Sequence, residues 1–148
     1  MNRELIPFRA EHLVGLQIQA GQADETLGRD IASDLRWLEA QNYPSFTGGE
    51  GSRVIGASGV IPSGIGVGDG WMFLRACPMS GDLRWVTRQT RKFLDTVRQD
   101  HRFMMVAITV RRTWPAAHRF ARALGFAMTD DMVSPHGSEH YYNVYERH

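Results

Sequence analysis

The chain has 148 residues, of which 43% are hydrophobic, and a net charge of +1. These values predict one folded domain, residues 1–148, and exclude a disordered chain. Its single cysteine, Cys77, excludes an internal disulfide and favours a reducing compartment. No apolar run is long enough to cross a bilayer and no signal-peptide core follows the polar residues 1–4, so we expect no membrane association.

The charge is unevenly distributed along the chain. Residues 75–122 contain eleven basic and three acidic residues, a net charge of +8, whereas both flanking segments are acidic. This segment favours a site for phosphates or another polyanion. A solvated arginine-rich face explains the same pattern, so charge alone leaves both interpretations open. We do not expect nucleic acid as a partner, because no aromatic stacking pattern accompanies the basic residues.

In chain order, the first half predicts a strand, two helices and a strand pair. Apolar residues recur at helical spacing before residue 41, and two apolar runs flank a glycine cluster that is typical of a hairpin. The predicted elements are strands at residues 4–8, 43–47 and 53–61 and helices at residues 11–22 and 30–41. Residues 62–64 and the spaced glycines of residues 64–70 predict turns before the fourth strand.

The middle of the chain predicts a strand–helix–strand unit. Residues 71–74 and 103–110 are apolar runs, and the second lacks alternation, as in a strand covered on both faces. Residues 83–98 carry apolar side chains at helical spacing. We therefore expect two neighbouring parallel strands joined by a right-handed helical crossover. Such a unit presents a helix N-terminus beside a strand end, which suits an anion.

The last third predicts a short helix and a closing strand pair. Pro115 suits the first turn of a helix and Gly125 suits its end. Residues 126–133 and 141–146 then predict antiparallel strands. The predicted order is β-α-α-β-β-β-α-β-α-β-β, an α/β fold with a mixed central sheet.

That order, at this length, resembles the GNAT acetyltransferase superfamily over nearly the whole chain. The sequence support is concentrated at residues 114–126, where Ala117, Phe120, Leu124 and the pair Gly125-Phe126 fit the family's helix and its end. Within the superfamily, the chain looks most like the acetyltransferase-like internal virion proteins of short-tailed phages. The residues that carry this closer resemblance are Trp71, Arg91, Lys92, Phe93, Arg119, Phe120 and Gly125.

The resemblance implies a site for acetyl-CoA along the fourth strand and the helix after it. Backbone amides at the strand end would face the thioester carbonyl, and arginines on the helix would bind the pyrophosphate or the 3′-phosphate. The predicted cofactor contacts are Phe73, Leu74, Arg75, Ser80, Gly81, Arg84 and Arg88. An ordinary core strand followed by a solvated helix face is the alternative interpretation.

The chain departs from the family pattern in the pyrophosphate loop, at Trp114, where the family often has asparagine, and at Ala121. The family's pyrophosphate loop carries two spaced glycines, whereas residues 75–82 retain only Gly81 and place Asp82 beside the expected phosphates, where it would also cap the helix. Ala121 stands where many members have an acid tyrosine. His118, one turn earlier, is the candidate replacement acid, with an ordinary surface histidine as the alternative.

Two further patterns point to chemistry more weakly. Residues 136–140 match the letters of an H-x-x-E-H zinc motif, but Pro135 and Gly137 disfavour the helix that would bring both histidines onto one face, so we expect no metal. Cys77 follows the fourth strand without an activating base near it in sequence. We expect a packed thiol there rather than a nucleophile.

Two classes of function remain open from the sequence. The first is an acetyl-CoA-dependent N-acyltransferase that acts on a small-molecule or protein amine. The second is a catalytically inactive GNAT-like phage protein, with a structural role in the virion or a host protein as its partner. The resemblance places the protein in the host cytoplasm or in the virion.

Overall fold

In a computed structural model, seven strands form one mixed sheet in the order β1-β2-β3-β4-β5-β7-β6. The structure describes residues 2–19, 31–134 and 140–148. The strands are β1 (Arg3–Ile6), β2 (Ser45–Glu50), β3 (Arg53–Gly64), β4 (Val67–Leu74), β5 (Met105–Arg111), β6 (Ala127–Val133) and β7 (Tyr142–Arg147). The α-helices of the described residues are α1 (Ile31–Ala40), α2 (Asp82–Val97) and α3 (Pro115–Ala123). The predicted α/β class with a mixed sheet is confirmed.

The first predicted helix, residues 11–22, is wrong over its described part. A single 3₁₀ turn, Ala10–His12, stands there instead. Gly15 follows with a φ of +80°, a left-handed conformation that ends a helix. The chain then extends, and Ile18 forms an isolated antiparallel bridge with Arg75. Residues 20–22 lie outside the described residues, as does residue 30 of the second predicted helix.

The predicted turns over residues 62–70 are mostly strand. β3 continues to Gly64 and β4 begins at Val67, so the turn is confined to residues 65 and 66. Gly66 has a φ of +74°. Gly70 has a different reason to be glycine, because a Cβ there would lie 2.7 Å from Cγ2 of Ile108. A glycine that permits close strand packing was therefore mistaken for a turn signal.

Contacts divide the chain into two compact units, and the first comprises Met1–Val60 and Trp71–Leu83. β2 pairs antiparallel with both β1 and β3, so that Arg3 lies opposite Glu50 and Glu50 lies opposite Arg53. The core of this unit is apolar and includes Phe8, Ala10, Leu13, Leu35 and Ala57, with Trp71 and Phe73 packed against it.

The second unit comprises Ile61–Gly70 and Arg84–His148. Here β4 and β5 are parallel, with Val67 opposite Met105 and Asp69 opposite Ala107, and α2 connects them in the chain. β7 pairs antiparallel with both β5 and β6. The predicted parallel direction of the two strands and the closing antiparallel pair are confirmed, but β4 pairs with β5 through residues 67–69 and not through the predicted residues 71–74.

The end of α3 follows the predicted glycine stop. Gly125 has a φ of +93°, and its N–H donates to the carbonyl of Arg122 at 3.0 Å. The N–H of Phe126 donates to the carbonyl of Ala121 at 3.1 Å. These two bonds form a Schellman motif, which satisfies the last carbonyls of the helix.

Candidate functional site

The end of β4 is tied into the first unit through its backbone. The carbonyl of Leu74 accepts the N–H of Gln19 at 3.0 Å, and the N–H of Arg75 donates to the carbonyl of Ile55 at 2.9 Å. Leu74 is buried, and the Phe73 ring packs against the core of the unit. A thioester carbonyl bound here would therefore compete with the Ile55 oxygen for the Arg75 amide.

The loop that follows β4 is anchored by the carboxylate of Asp82, whose side chain is fully buried. Arg53 donates to both carboxylate oxygens at 2.8 and 3.1 Å, and Nε of Arg3 donates at 3.0 Å. The backbone N–H of Met79 adds a bond of 2.7 Å. Hydrogen bonds from Arg53, followed by those from Met79 and Arg3, lower the pKa of Asp82 from 3.8 to about 2. The group is thus a carboxylate at neutral pH.

Glu50 completes the cluster. One of its oxygens lies 3.9 Å from Nε of Arg3 and the other lies 3.7 Å from Nη2 of Arg53. Two guanidinium groups therefore face two carboxylates, so the four side chains are neutral together. We call Arg3, Glu50, Arg53 and Asp82 the Asp82 cluster. The negative charge that we expected Asp82 to place beside a phosphate is offset by these two arginines.

Ser80 and Gly81 form the exposed rim of this loop. The carbonyl of Ser80 accepts Nη2 of Arg3 at 2.7 Å. Gly81 has a φ of +86°, and a Cβ at this position would lie 3.1 Å from the same nitrogen. Of the two predicted phosphate-binding residues of the loop, Ser80 is therefore bonded directly to Arg3, and Gly81 leaves room beside it for the guanidinium group.

In the second unit, the exposed side of α2 carries a row of cations. A shallow depression along this side is lined by Arg84, Thr87, Arg88, Arg91, Lys92 and Asp95. Asp95 is bound by Arg147 at 2.6 Å, and this bond lowers its pKa. In the part of the chain that the structure describes, neither Arg84 nor Arg88 has a carboxylate within ion-pair distance. We call Arg84, Arg88, Arg91 and Lys92 the α2 basic face.

The opposite side of α2 is apolar and buried. Val86, Leu94 and Val97 are each at most 4% exposed and recur at helical spacing. Burial of this side turns the cations outward. The structure thus places the predicted residues Arg84 and Arg88 on one exposed face, one helical turn apart.

His118 lies on α3 with both ring nitrogens engaged. Nε2 faces the carbonyls of Arg111 and Arg112 at 3.0 and 3.1 Å, and two acceptors assign the proton to this nitrogen. Nδ1 lies 2.6 Å from the hydroxyl of Tyr145, which is fully buried. His118 therefore joins α3 to the end of β5 and to β7. An acid role would require one of these bonds to break.

The remaining candidates lie apart from these groups. Ala121 is 1% exposed, so a small buried side chain stands where the resemblance predicts the family's acid tyrosine. Cys77 is exposed, and the expected packed thiol is wrong. Of the two zinc-motif histidines, His136 lies outside the described residues, and Nε2 of His140 lies 2.7 Å from Nη2 of Arg111.

Sequence reasoning missed Arg3 and Arg53. They lie 79 and 29 residues from Asp82 along the chain, and no local pattern links such positions. A partial signal exists in the opposite charges of Glu50 and Arg53 on either side of a two-residue turn. The glycine cluster predicts a turn over residues 48–51, whereas Gly48 to Glu50 belong to β2, so the predicted turn includes Glu50 and conceals its pairing with Arg53.

Comparison with known proteins supports the fold without a close relative in sequence. No family model and no curated protein matches the chain. An acetyltransferase of the GNAT family from Bacillus anthracis matches with a TM-score of 0.69 and 12% identity, over 99% of this chain and 95% of that chain. A ribosomal-protein-alanine N-acetyltransferase from Brucella melitensis matches with a TM-score of 0.72 and 12% identity, over 97% and 98%.

A third solved structure is a putative acetyltransferase from Salmonella typhimurium with its cofactor acetyl-CoA. It matches with a TM-score of 0.66 and 14% identity, over 98% of this chain and 92% of that chain. At these identities the likeness establishes the fold, which is that of GNAT acetyltransferases. Among the described residues, none of the helices has both the length and the apolar character needed to span a membrane.

Proposed function

We propose that this protein is an acetyl-CoA-dependent N-acyltransferase. The observation that carries the proposal is the α2 basic face, where Arg84 and Arg88 point cations outward in a chain with the GNAT fold. Unpaired guanidinium groups suit phosphates because they donate planar, charge-assisted hydrogen bonds. One structural neighbour was solved with acetyl-CoA, and another, an aminoglycoside acetyltransferase, with coenzyme A and kanamycin.

The proposed phosphate ligands are Arg84 and Arg88 on the α2 basic face. The family resemblance further predicts cofactor contacts at Phe73, Leu74, Arg75, Ser80 and Gly81. Acetyl-CoA, when bound, supplies the acetyl group. The protein contributes mainly by holding the thioester next to a neutral amine, since correct placement removes much of the barrier to acyl transfer.

His118 is the proposed general acid. For this role the ring carries a proton on both nitrogens, so that donation of one proton to the leaving thiolate leaves a neutral imidazole; Tyr145 holds the ring through Nδ1. We expect His118→Gln to lower kcat while the KM for acetyl-CoA stays unchanged. The acceptor is an amine carried by a small molecule or by a protein.

The second candidate is a catalytically inactive GNAT-like protein of a phage, located in the virion or bound to a host protein. Two observations favour it. Ala121 is buried and carries no hydroxyl where the family's acid tyrosine would stand. The Arg75 amide is already bonded to Ile55. The closer resemblance to internal virion proteins belongs to this alternative.

Calorimetric titration with acetyl-CoA separates the two candidates. We expect a Kd on the order of 0.1–1 mM at low salt, which weakens as salt screens the arginines. Arg84→Glu combined with Arg88→Glu abolishes binding. The matched control is Arg119→Glu combined with Arg122→Glu, two exposed arginines on α3, which leaves binding nearly unchanged.

Two results would contradict the proposal in different ways. No heat at millimolar acetyl-CoA leaves the inactive protein as the better candidate. Unchanged binding in the Arg84 and Arg88 double variant shows that the phosphates bind elsewhere.

A further inference from the structure

The conformation of the loop at residues 79–82 depends on one buried carboxylate. Asp82 receives hydrogen bonds from Arg3, Arg53 and the backbone of Met79. These donors come from β1, from β3 and from the loop itself. The side chain of Asp82 is fully buried, while those of Arg3 and Arg53 are 27% and 19% exposed. Bonds of this kind resist exchange with water far better than ion pairs on an open surface.

Arg3 does more than neutralise the carboxylate. While Nε binds Asp82, Nη2 donates to the carbonyl of Ser80 at 2.7 Å and lies where a side chain on Gly81 would stand. One guanidinium group thus bonds both Ser80 and Asp82, on either side of Gly81. A lysine has a single nitrogen and cannot reproduce this forked arrangement.

We propose that Arg3 and Arg53 are positioning residues, which hold residues 79–82 in the conformation that binds the phosphates of the cofactor; this inference rests on the proposed function. Neither arginine needs to touch the cofactor for this role. Their guanidinium donors are turned toward Asp82 and the carbonyl of Ser80. A loop that is ordered in the free protein binds the ligand more tightly, because no further conformational entropy is lost in ordering the loop on binding.

The same bonds remove an electrostatic obstacle. An isolated carboxylate at the start of α2 would repel a phosphate bound near the helix N-terminus. Because Arg3 and Arg53 both bind Asp82, its charge is offset within the cluster. The carboxylate can therefore shape the loop without opposing an anion. This explains how a chain with one loop glycine and an aspartate remains suited to phosphates.

The test combines amide hydrogen exchange of the free protein with calorimetric titration by acetyl-CoA. The variants are Arg3→Met, Arg3→Lys and, as a matched control, Arg36→Met, an exposed arginine on α1. In Arg3→Met we expect the amides of residues 80–82 to exchange at least about tenfold faster and the Kd for acetyl-CoA to rise about tenfold. Arg3→Lys should recover part of both effects, and Arg36→Met should show neither.

The salt dependence of binding distinguishes positioning from direct contact. The double variant Arg3→Met and Glu50→Gln, which keeps the Asp82 cluster neutral, should weaken binding without changing how steeply the Kd rises with salt, because no contact to phosphate is lost. A shallower dependence would overturn the proposal by making Arg3 a direct phosphate ligand. Thermal unfolding verifies that each variant is folded, and Arg3→Lys carries the comparison if Arg3→Met does not fold.

Three further outcomes would overturn the inference. Unchanged exchange in Arg3→Met shows that the loop does not depend on Arg3. Faster exchange with an unchanged Kd shows that loop order does not affect binding, and the proposed function then stands alone. If the wild-type loop exchanges slowly and the protein does not bind acetyl-CoA, the proposed function is wrong. The positioning role is then wrong as well.

Discussion

The Asp82 cluster and the α2 basic face both contain arginines, but they differ in whether carboxylates lie opposite those arginines. In the cluster, Arg3 and Arg53 meet two carboxylates, and the side chain of Asp82 is fully buried. On the basic face, Arg84 and Arg88 are exposed, without a carboxylate partner in the described part of the chain. Net charge along the sequence does not separate these two uses. The structure separates the two uses, because an arginine paired with a carboxylate stabilises the fold, whereas an unpaired arginine is available to a ligand.

The largest expected effect on stability comes from removing the buried carboxylate of the Asp82 cluster. Asp82→Ala leaves two partly buried guanidinium groups without their main partner, and we expect it to lower the free energy of unfolding by about 3–5 kcal/mol. Urea denaturation measures the change. Asp95→Ala, on the same helix but exposed, is the control and should cost much less. Equal losses for the two variants would erase the distinction between the regions.

Gly81→Ala is expected to have the next largest effect on the free energy of unfolding. The φ of +86° is strained for any residue with a Cβ, and the new methyl group would press against Nη2 of Arg3. We expect a loss of about 1–2 kcal/mol in the free energy of unfolding, again by urea denaturation. Gly64→Ala is the matched control, since nothing lies within 4 Å of the position that its Cβ would take. A neutral Gly81→Ala would mean that the loop can relax away from Arg3.

Acid should weaken the cluster in a defined pH range. The pKa of Asp82 is lowered to about 2 in the folded protein, from 3.8. Its contribution to stability is therefore fully present above about pH 4 and is lost as the pH falls through about 2. Between pH 7 and pH 2.5, the difference in free energy of unfolding between wild type and Asp82→Asn should shrink by about 1–2 kcal/mol. A difference that stays constant over this range would show that Asp82 titrates normally.

The smallest expected effect on stability belongs to the basic face. The combined variant Arg84→Glu and Arg88→Glu should change the free energy of unfolding by less than about 0.5 kcal/mol, because both side chains are exposed. Urea denaturation of this variant beside Asp82→Ala gives the sharpest form of the comparison. A loss of several kcal/mol would show that these arginines support the fold and are not reserved for a ligand.

The strand–helix–strand unit and α3 could be predicted from the sequence, because the patterns that specify them are local. The apolar run that forms β5, the spacing of Val86 and Leu94 on α2, and Pro115 and Gly125 around α3 each specify structure within a few residues. The helix predicted at residues 11–22 is wrong because Gly15 takes a left-handed conformation there. The predicted turn extends too far, because Gly70 lies within a strand and allows close packing against Ile108.

The candidate site was predictable to a similar extent. Arg84 and Arg88 followed from helical spacing, which also turns them away from the buried side of α2. The partners of Asp82 did not follow, because they depend on the register of β1, β2 and β3, and a turn misplaced by a few residues changes every pairing. Whether a charged side chain is paired with a partner distant in sequence depends on the tertiary structure and cannot be predicted from a local sequence pattern.

The long separation between Arg3 and Asp82 also bears on how the protein folds. These partners are 79 residues apart in the chain, and contacts of such separation form late because a large chain segment must first be closed. β1 has four residues and stands at the end of the strand order, so it is also a natural place for fraying. Each detachment of this strand would release the loop at residues 79–82. Ligand affinity at this loop would then depend on how much of the time β1 is docked on the sheet.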